Sequence, residues 1–262
     1  MEPKEIYKIP FSMHENQYEL SYYIGYNNKI GLIEDYEKKG EIKVALHFFS
    51  IQECLDISTV LYRLAMFMTS QAKVPFKRIS LYRGDDVVGW FYCPMVSKDA
   101  AAGNAVLFYQ FDVMKYVPAI LNNIALDSGN RITKSLPLGH LREFELMFSP
   151  QRFIEQIMSF EYLFAKIEPQ RAQDSRFSLK NELKFAFNLF PELLSNNENV
   201  DDVCKEIKEL RRTITHGYAY YYDFKMDTNV EHYIFLLDKL IIKMSLKWVG
   251  FSENDISEFR IL

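Results

Sequence analysis

The sequence predicts an α+β, strand-rich domain over residues 1–138 followed by an all-α bundle of four or five helices over residues 139–262. Three observations carry this. Up to about residue 110, short β-branched and aromatic runs alternate with turn formers. From residue 149 onward, apolar residues recur at three- and four-residue steps. Between the two, Asp127–Gly139 (DSGNRITKSLPLG) is polar and rich in turn formers, and reads as an inter-domain link.

The strands expected in order are Ile6–Pro10, Glu19–Tyr26, Lys29–Asp35 and Ile42–Phe48. Asn27-Asn28 marks a hairpin, and Lys38-Lys39-Gly40 marks the next turn. A helix over Ile51–Gln71 interrupts them, with Leu55, Val60, Leu61, Leu64, Ala65 and Met68 at helical spacing. Strands resume at Phe76–Tyr82, Val87–Cys93 and Ala105–Phe111, with Arg83-Gly84-Asp85-Asp86 as a tight turn. A helix over Met114–Leu126 contains Pro118, so it is short or kinked.

In the second half, Ser149-Pro150 opens a helix, serine as N-cap and proline in the first turn. Its apolar stripe is Phe153, Ile154, Ile157, Phe160, Phe164 and Ile167. After a loop over Glu168–Ser175, a second helix runs over Leu179–Phe190 and ends before Pro191. A third runs over Val200–His216, with Asp201 and Asp202 in a first turn where the helix dipole favours negative charge. A fourth covers Asn229–Val249 and stops at Gly250. Ser252-Glu253-Asn254-Asp255 has the form of a capping box, with Asp in place of Glu, ahead of a last short helix.

With 48% hydrophobic and 25% charged residues the composition is that of a folded chain, and 21 Phe with 17 Tyr make its cores ring-rich. A net charge of −4 argues against coating nucleic acid through bulk electrostatics, so any such contact needs a local basic face. Cys54, Cys93 and Cys204 are far apart and without metal-ligand spacing, which reads as reduced thiols in a reducing compartment. MEPKEIYKIPF lacks the apolar core of a signal peptide, and no run of about 18 apolar residues occurs. A cytoplasmic location without membrane contact, and no metal or cofactor, are the expectations.

The third helix of the second half is the informative one. At about 100° per residue, Val203, Ile207, Leu210 and Ile214 form a narrow apolar stripe. Lys205, Lys208, Arg212 and His216 lie opposite within roughly a quarter of the circumference, and Arg211 is on the flank. One reading is a solvated basic face with a histidine placed favourably at the helix C-terminus. The other is a local positive footprint for phosphate. Cys204 falls near the apolar side and reads as packing. His14, His47, His140 and His232 have no ligand spacing, and no phosphate loop, nucleophile elbow or zinc pattern occurs.

The string Leu210-Arg211-Arg212-Thr213-Ile214-Thr215-His216-Gly217-Tyr218 resembles the R-x4-6-H motif of HEPN domains, in the form R-x-x-x-x-H-G. It ends the third long helix of a helical run and precedes a long apolar helix ending in Gly250, as in that family. The first helix, Phe153-Ile154-Glu155-Gln156-Ile157 through Glu161-Tyr162-Leu163, is similar to the aromatic and acidic first helix of the ApeA-like branch, in which an α+β domain comes first. The resemblance covers about 115 residues well. It departs at Arg212, where a small polar residue such as Asn is usual. It designates Arg211 as partner of His216, whereas ideal pitch puts Arg212 on the face of His216 and Arg211 about 140° away.

The resemblance implies an all-α HEPN-type domain that acts as a metal-independent endoribonuclease in a toxin or anti-phage role. Arg211 and His216 would be catalytic, and Arg212, Lys208 and Lys205 would bind RNA. The ribose 2′-hydroxyl attacks the adjacent phosphate, so no external nucleophile is needed. Histidine exchanges a proton near its ordinary pKa of about 6.5, and arginine holds the phosphate and its developing charge. It also implies a homodimer with facing motifs, an antitoxin or phage-derived trigger as partner, and a sensing or regulatory role for residues 1–138. Tyr218 completes an H-x-Y pattern that in some HEPN toxins receives nucleotides from a partner enzyme; packing at a dimer interface or stacking on a base are the alternatives. A non-catalytic HEPN module that dimerises and binds RNA or protein, and a purely structural interaction protein, are the competing classes.

Overall fold

A computed structural model describes residues 5–13, 16–27, 35–43, 50–69, 79–83, 86–91, 116–127, 149–174, 176–216 and 228–258. These residues are mostly helical, with the strands confined to the N-terminal part. Strands β1 (Glu5–Met13), β2 (Asn16–Asn27) and β3 (Asp35–Lys43) form an antiparallel sheet in the order β1-β2-β3. Strands β4 (Ile79–Arg83) and β5 (Asp86–Phe91) form a separate antiparallel pair. Arg83 pairs with Asp86, which closes the hairpin where a tight turn is expected.

The sheet corrects two expectations. Lys38-Lys39-Gly40 does not turn: Lys38, Lys39 and Gly40 pair with Ile24, Tyr23 and Tyr22 inside β3. An edge strand needs only one row of hydrogen bonds, and lysines there discourage pairing with another chain. The second concerns Asn27-Asn28: β2 and β3 form a hairpin, but Asn27 is the last residue of β2 and pairs with Asp35, so the chain does not turn at that pair. Most of the expected strands Lys29–Asp35 and Ile42–Phe48, and all of Ala105–Phe111, lie outside the described residues.

Helix α1 (Ile51–Thr69) buries Ile57, Val60, Tyr62 and Phe67, while Leu55, expected on the apolar stripe, is exposed. Helix α2 (Val117–Leu126) has Pro118 in its first turn, where a missing N–H costs nothing, so the proline starts the helix and does not kink it. Asp127, which opens the polar segment read as a link, is buried. Its carbonyl accepts from Arg63 of α1 at 2.8 Å and its carboxylate from Tyr162 at 3.1 Å.

Helices α3 (Pro150–Ile167), α5 (Leu179–Leu189), α6 (Val200–Thr215) and α7 (Thr228–Trp248) pack together. The Ser149 hydroxyl accepts from the Arg152 N–H at 3.1 Å, the cap expected from Ser-Pro. A one-turn helix α4 (Pro169–Ala172) occupies part of the segment expected as loop, and a 3-10 turn follows Phe190 at Pro191–Leu193. Phe153, Ile157, Phe160 and Phe164 of α3, Leu183 and Phe187 of α5, Ile207 of α6 and Leu237, Leu240 and Ile241 of α7 are fully or almost fully buried. Each such side chain contributes about 1.5–3 kcal/mol by leaving water.

Helix α7 ends in a Schellman motif. Phe251 N–H reaches Leu246 carbonyl and Gly250 N–H reaches Lys247 carbonyl, both at 3.0 Å, with Gly250 at φ 90°. Helix α8 (Glu253–Glu258) follows. Its cap is closed by the Ser252 hydroxyl, which accepts from Asp255 N–H and donates to the Asp255 carboxylate. The Ser252 N–H, which a reciprocal box would give to that carboxylate, goes to the Tyr116 hydroxyl at 3.3 Å instead. The Tyr116 ring stacks on Phe251. Together with Asp127, this anchors α2 to the helical half as well as to β1 and α1.

Candidate functional site

Helix α6 forms because Asn199 caps it, accepting from Asp201 N–H at 2.8 Å, and because Val203, Cys204 and Ile207 find the core. Leu210 and Ile214 pack partly against that core. This orientation leaves Lys205, Lys208, Arg212 and His216 exposed, as the helical spacing requires. The exposed face is not uniformly basic. Glu209 lies within it and pairs with Arg212 at 3.3 Å. Lys205 and Lys208 have no ion-pair partner among the described residues.

Arg211 points elsewhere. It is half-buried and turned toward α3, where its two terminal nitrogens meet the two carboxylate oxygens of Glu161 at 3.2 and 3.3 Å. Glu182 of α5, half-buried, feels the charges of both, and one of its carboxylate oxygens is fully enclosed and without a hydrogen-bond partner among the described residues. Burial pushes the Glu182 carboxyl from its ordinary 4.5 up to about 7; Glu161 adds to the rise and Arg211 opposes it. Burial also raises Glu161, again against the pull of Arg211. Two carboxylates from two helices thus feel the charge of one guanidinium from a third, and only Glu161 pairs with it.

His216 is the C-cap of α6, outside the helix proper, at φ −92° and ψ 8°. Its N–H returns to the Arg212 carbonyl at 3.1 Å, while its imidazole makes no hydrogen bond or ion pair with a described residue. The side chains of Arg211 and His216 are therefore not joined: one faces the α3 carboxylate and the other faces water. Gly217 and Tyr218 lie outside the described residues.

In the sequence Glu161 stands out only as part of an acidic, aromatic helix, and Glu182 does not stand out. A signal was present. Each glutamate sits on the flank of its helix's apolar stripe, Glu161 next to Phe160 and Phe164, Glu182 next to Leu179 and Ala186. A carboxylate there is drawn into partial burial and needs a cation.

A second polar cluster lies between α3 and α7. Asp238 accepts from Arg152 at 2.7 Å and from Gln156 at 2.6 Å, and Gln156 also donates to the Ile234 carbonyl. Burial raises the Asp238 carboxyl, opposed by Arg152 and Gln156. These bonds tie α3 to α7 and fix its register, while Arg152 Nε and Gln156 Oε1 stay buried without a hydrogen-bond partner among the described residues. Lys243, also buried, is spent on Glu192 at 2.6 Å and on the Ile256 carbonyl at 2.7 Å.

Among the described residues no group of three or more His, Cys, Asp or Glu side chains is arranged to hold a metal ion, and no helix is long and apolar enough to cross a membrane. Cys204 is a free, buried thiol that burial pushes up to about 12. No protein-family model, curated protein or solved structure matches the chain.

Proposed function

We propose that the chain is a metal-independent endoribonuclease of the HEPN type, related to the ApeA-like branch, working in a toxin or anti-phage role. The observation that carries this reading is the C-terminal end of α6. There a half-buried guanidinium, held from α3, and an imidazole at the helix cap, unengaged by any described residue, lie five residues apart on an element with exposed Lys205, Lys208 and Arg212. Arg211 would hold the scissile phosphate and stabilise its developing charge, while His216 moves the proton of the 2′-hydroxyl or the leaving 5′-oxygen. The bond from the 2′-oxygen to phosphorus forms as that to the 5′-oxygen breaks, leaving a 2′,3′-cyclic phosphate and a 5′-hydroxyl. Lys205, Lys208 and Arg212 would track the backbone by charge. One arginine and one histidine are few groups for the task, and a homodimer with facing motifs would double them. Residues 1–138 would then sense a trigger or restrain the nuclease.

A non-catalytic RNA- or protein-binding module is favoured by a different observation: Glu161 already neutralises Arg211, and the Arg211 side chain does not meet His216. Turnover separates the two readings. Inducible expression of the wild type beside His216→Ala and Arg211→Ala, with total RNA analysed for ends carrying cyclic phosphate, is the test. Fragments from the wild type alone support the nuclease; intact RNA in all three cultures favours the binding module.

A further inference from the structure

Arg211 is the phosphate-holding group of the proposed reaction, yet a carboxylate already lies across its fork. The two contacts, at 3.2 and 3.3 Å, are longer than the roughly 2.7–2.9 Å of a tight charge-assisted pair. A phosphodiester presents two oxygens that accept from the same two N–H groups in the same parallel geometry. Glu161 therefore occupies the place a phosphate would take. Glu182, close enough to feel both charges, has an enclosed oxygen unpartnered among the described residues, so the site already holds more negative than positive charge when both carboxyls are ionised.

We propose that Glu161, backed by Glu182, is an internal competitor of the substrate phosphate for Arg211, so that phosphate binding displaces Glu161 and draws a proton from solvent onto the carboxylate pair. The inference rests on the reading of Arg211 as a phosphate-holding residue. Its physical basis is linkage. Arg211 lowers the proton affinity of both glutamates, and an anion that neutralises Arg211 withdraws that influence, so the pair takes up a proton. The charged groups acting on the pair are Glu161 from α3, Glu182 from α5 and Arg211 from α6; α7, packed against α3 and α5, adds none among the described residues. The position of Glu182 near neutrality puts this uptake in the range where cells work.

The test uses the full chain with His216→Ala throughout, which leaves Glu161, Glu182 and Arg211 in place, and a fluorescent 2′-deoxy oligonucleotide, which keeps the phosphates but cannot be cut. Affinity is measured by anisotropy between about pH 6 and about pH 8. Proton uptake is measured by titration calorimetry in buffers of different ionisation enthalpy. The parent should lose about tenfold in affinity across that range and take up a fraction of a proton on binding. Glu161→Gln should bind about fivefold tighter at the alkaline end with a flatter profile, and Arg211→Ala should abolish both effects. Glu182→Gln, which retains the Glu161–Arg211 contact, should also flatten the profile, and it guards against misfolding of the Glu161 variant. Weaker binding by Glu161→Gln with an unchanged pH profile would overturn the inference and make Glu161 a positioning residue. If the wild type cuts RNA while neither glutamate variant alters affinity or its pH profile, the competitor fails and the nuclease stands. If the oligonucleotide does not bind but tripolyphosphate does, in a Glu161-dependent way, the RNA reading fails and the competition holds for another phosphate ester. Binding of neither anion overturns both.

Discussion

Glu182→Gln should change how stability depends on pH, and by a predictable amount. A carboxyl whose folded pKa is raised contributes stability that is fully present below the unfolded value and lost as pH rises through the folded one. For Glu182 that window runs from 4.5 to about 7, and the cause is first burial and then Glu161, against Arg211. At about 1.4 kcal/mol per pH unit the full rise corresponds to roughly 3.4 kcal/mol. Glu182 is only half-buried, so water screens much of this, and about 1 kcal/mol is the expected effect. Glutamine has the shape of the protonated acid and does not titrate. The stability of Glu182→Gln relative to the parent should therefore grow by about 1 kcal/mol from about pH 4.5 to about pH 8. Urea unfolding followed by tryptophan fluorescence measures it. Trp248 in α7 reports on the bundle, whereas Trp90, 55% exposed, changes its surroundings little. Asp238 titrates in the same direction but is present in both proteins, so its contribution cancels in the difference, whereas the coupling of Glu161 to Glu182 is lost with the carboxyl and belongs to the measured effect. Parallel stability curves for parent and variant would refute the assignment of a near-neutral proton to Glu182.

Three further outcomes follow from the helical half. Asp238→Ala leaves the mostly enclosed Arg152 without its carboxylate and buried Gln156 with only the Ile234 carbonyl and should cost about 3–5 kcal/mol in urea unfolding, with a loss under about 1 kcal/mol counting against a register-fixing role. Gly250→Ala has room, its added methyl meeting Ala119 at 3.7 Å, but forces alanine to φ 90°; a loss of about 1 kcal/mol by thermal melting is expected from backbone strain alone, and none would mean the Schellman end is not maintained. Cys204, its thiol raised to about 12 by burial first and by Asp201 next, with Lys180 and Lys184 opposing, should be inert to a disulfide reagent in the folded chain. Cys204→Ala and the parent should therefore expose equal numbers of reactive thiols when native and differ by one when unfolded.

What the sequence determined by itself is the helical order of the second half and the faces of α6. Those are local matters. The spacing of Val203, Ile207, Leu210 and Ile214 at helical pitch leaves one orientation that buries them, and Lys205, Lys208, Arg212 and His216 are then exposed whatever the partner helix is. Ser149 and Gly250 mark helix ends because capping is chemistry between near neighbours in the chain. The strands were less legible: Lys38-Lys39-Gly40 has the composition of a turn, and only pairing with β2 makes it extended. The tertiary structure alone decided the surroundings of Arg211. From α6 it is a flank residue equally ready to face water. It turns inward because Glu161, 50 residues earlier, and Glu182, on a third helix, converge there with carboxylates that cannot be buried without a cation. Asp127 shows the same division. Its neighbours in sequence read as a link, and it is buried because Arg63 and Tyr162, from opposite halves of the chain, satisfy its polar atoms. Pitch and caps act over four or five residues, whereas the desolvation of a charge is settled by whichever distant groups the fold brings beside it.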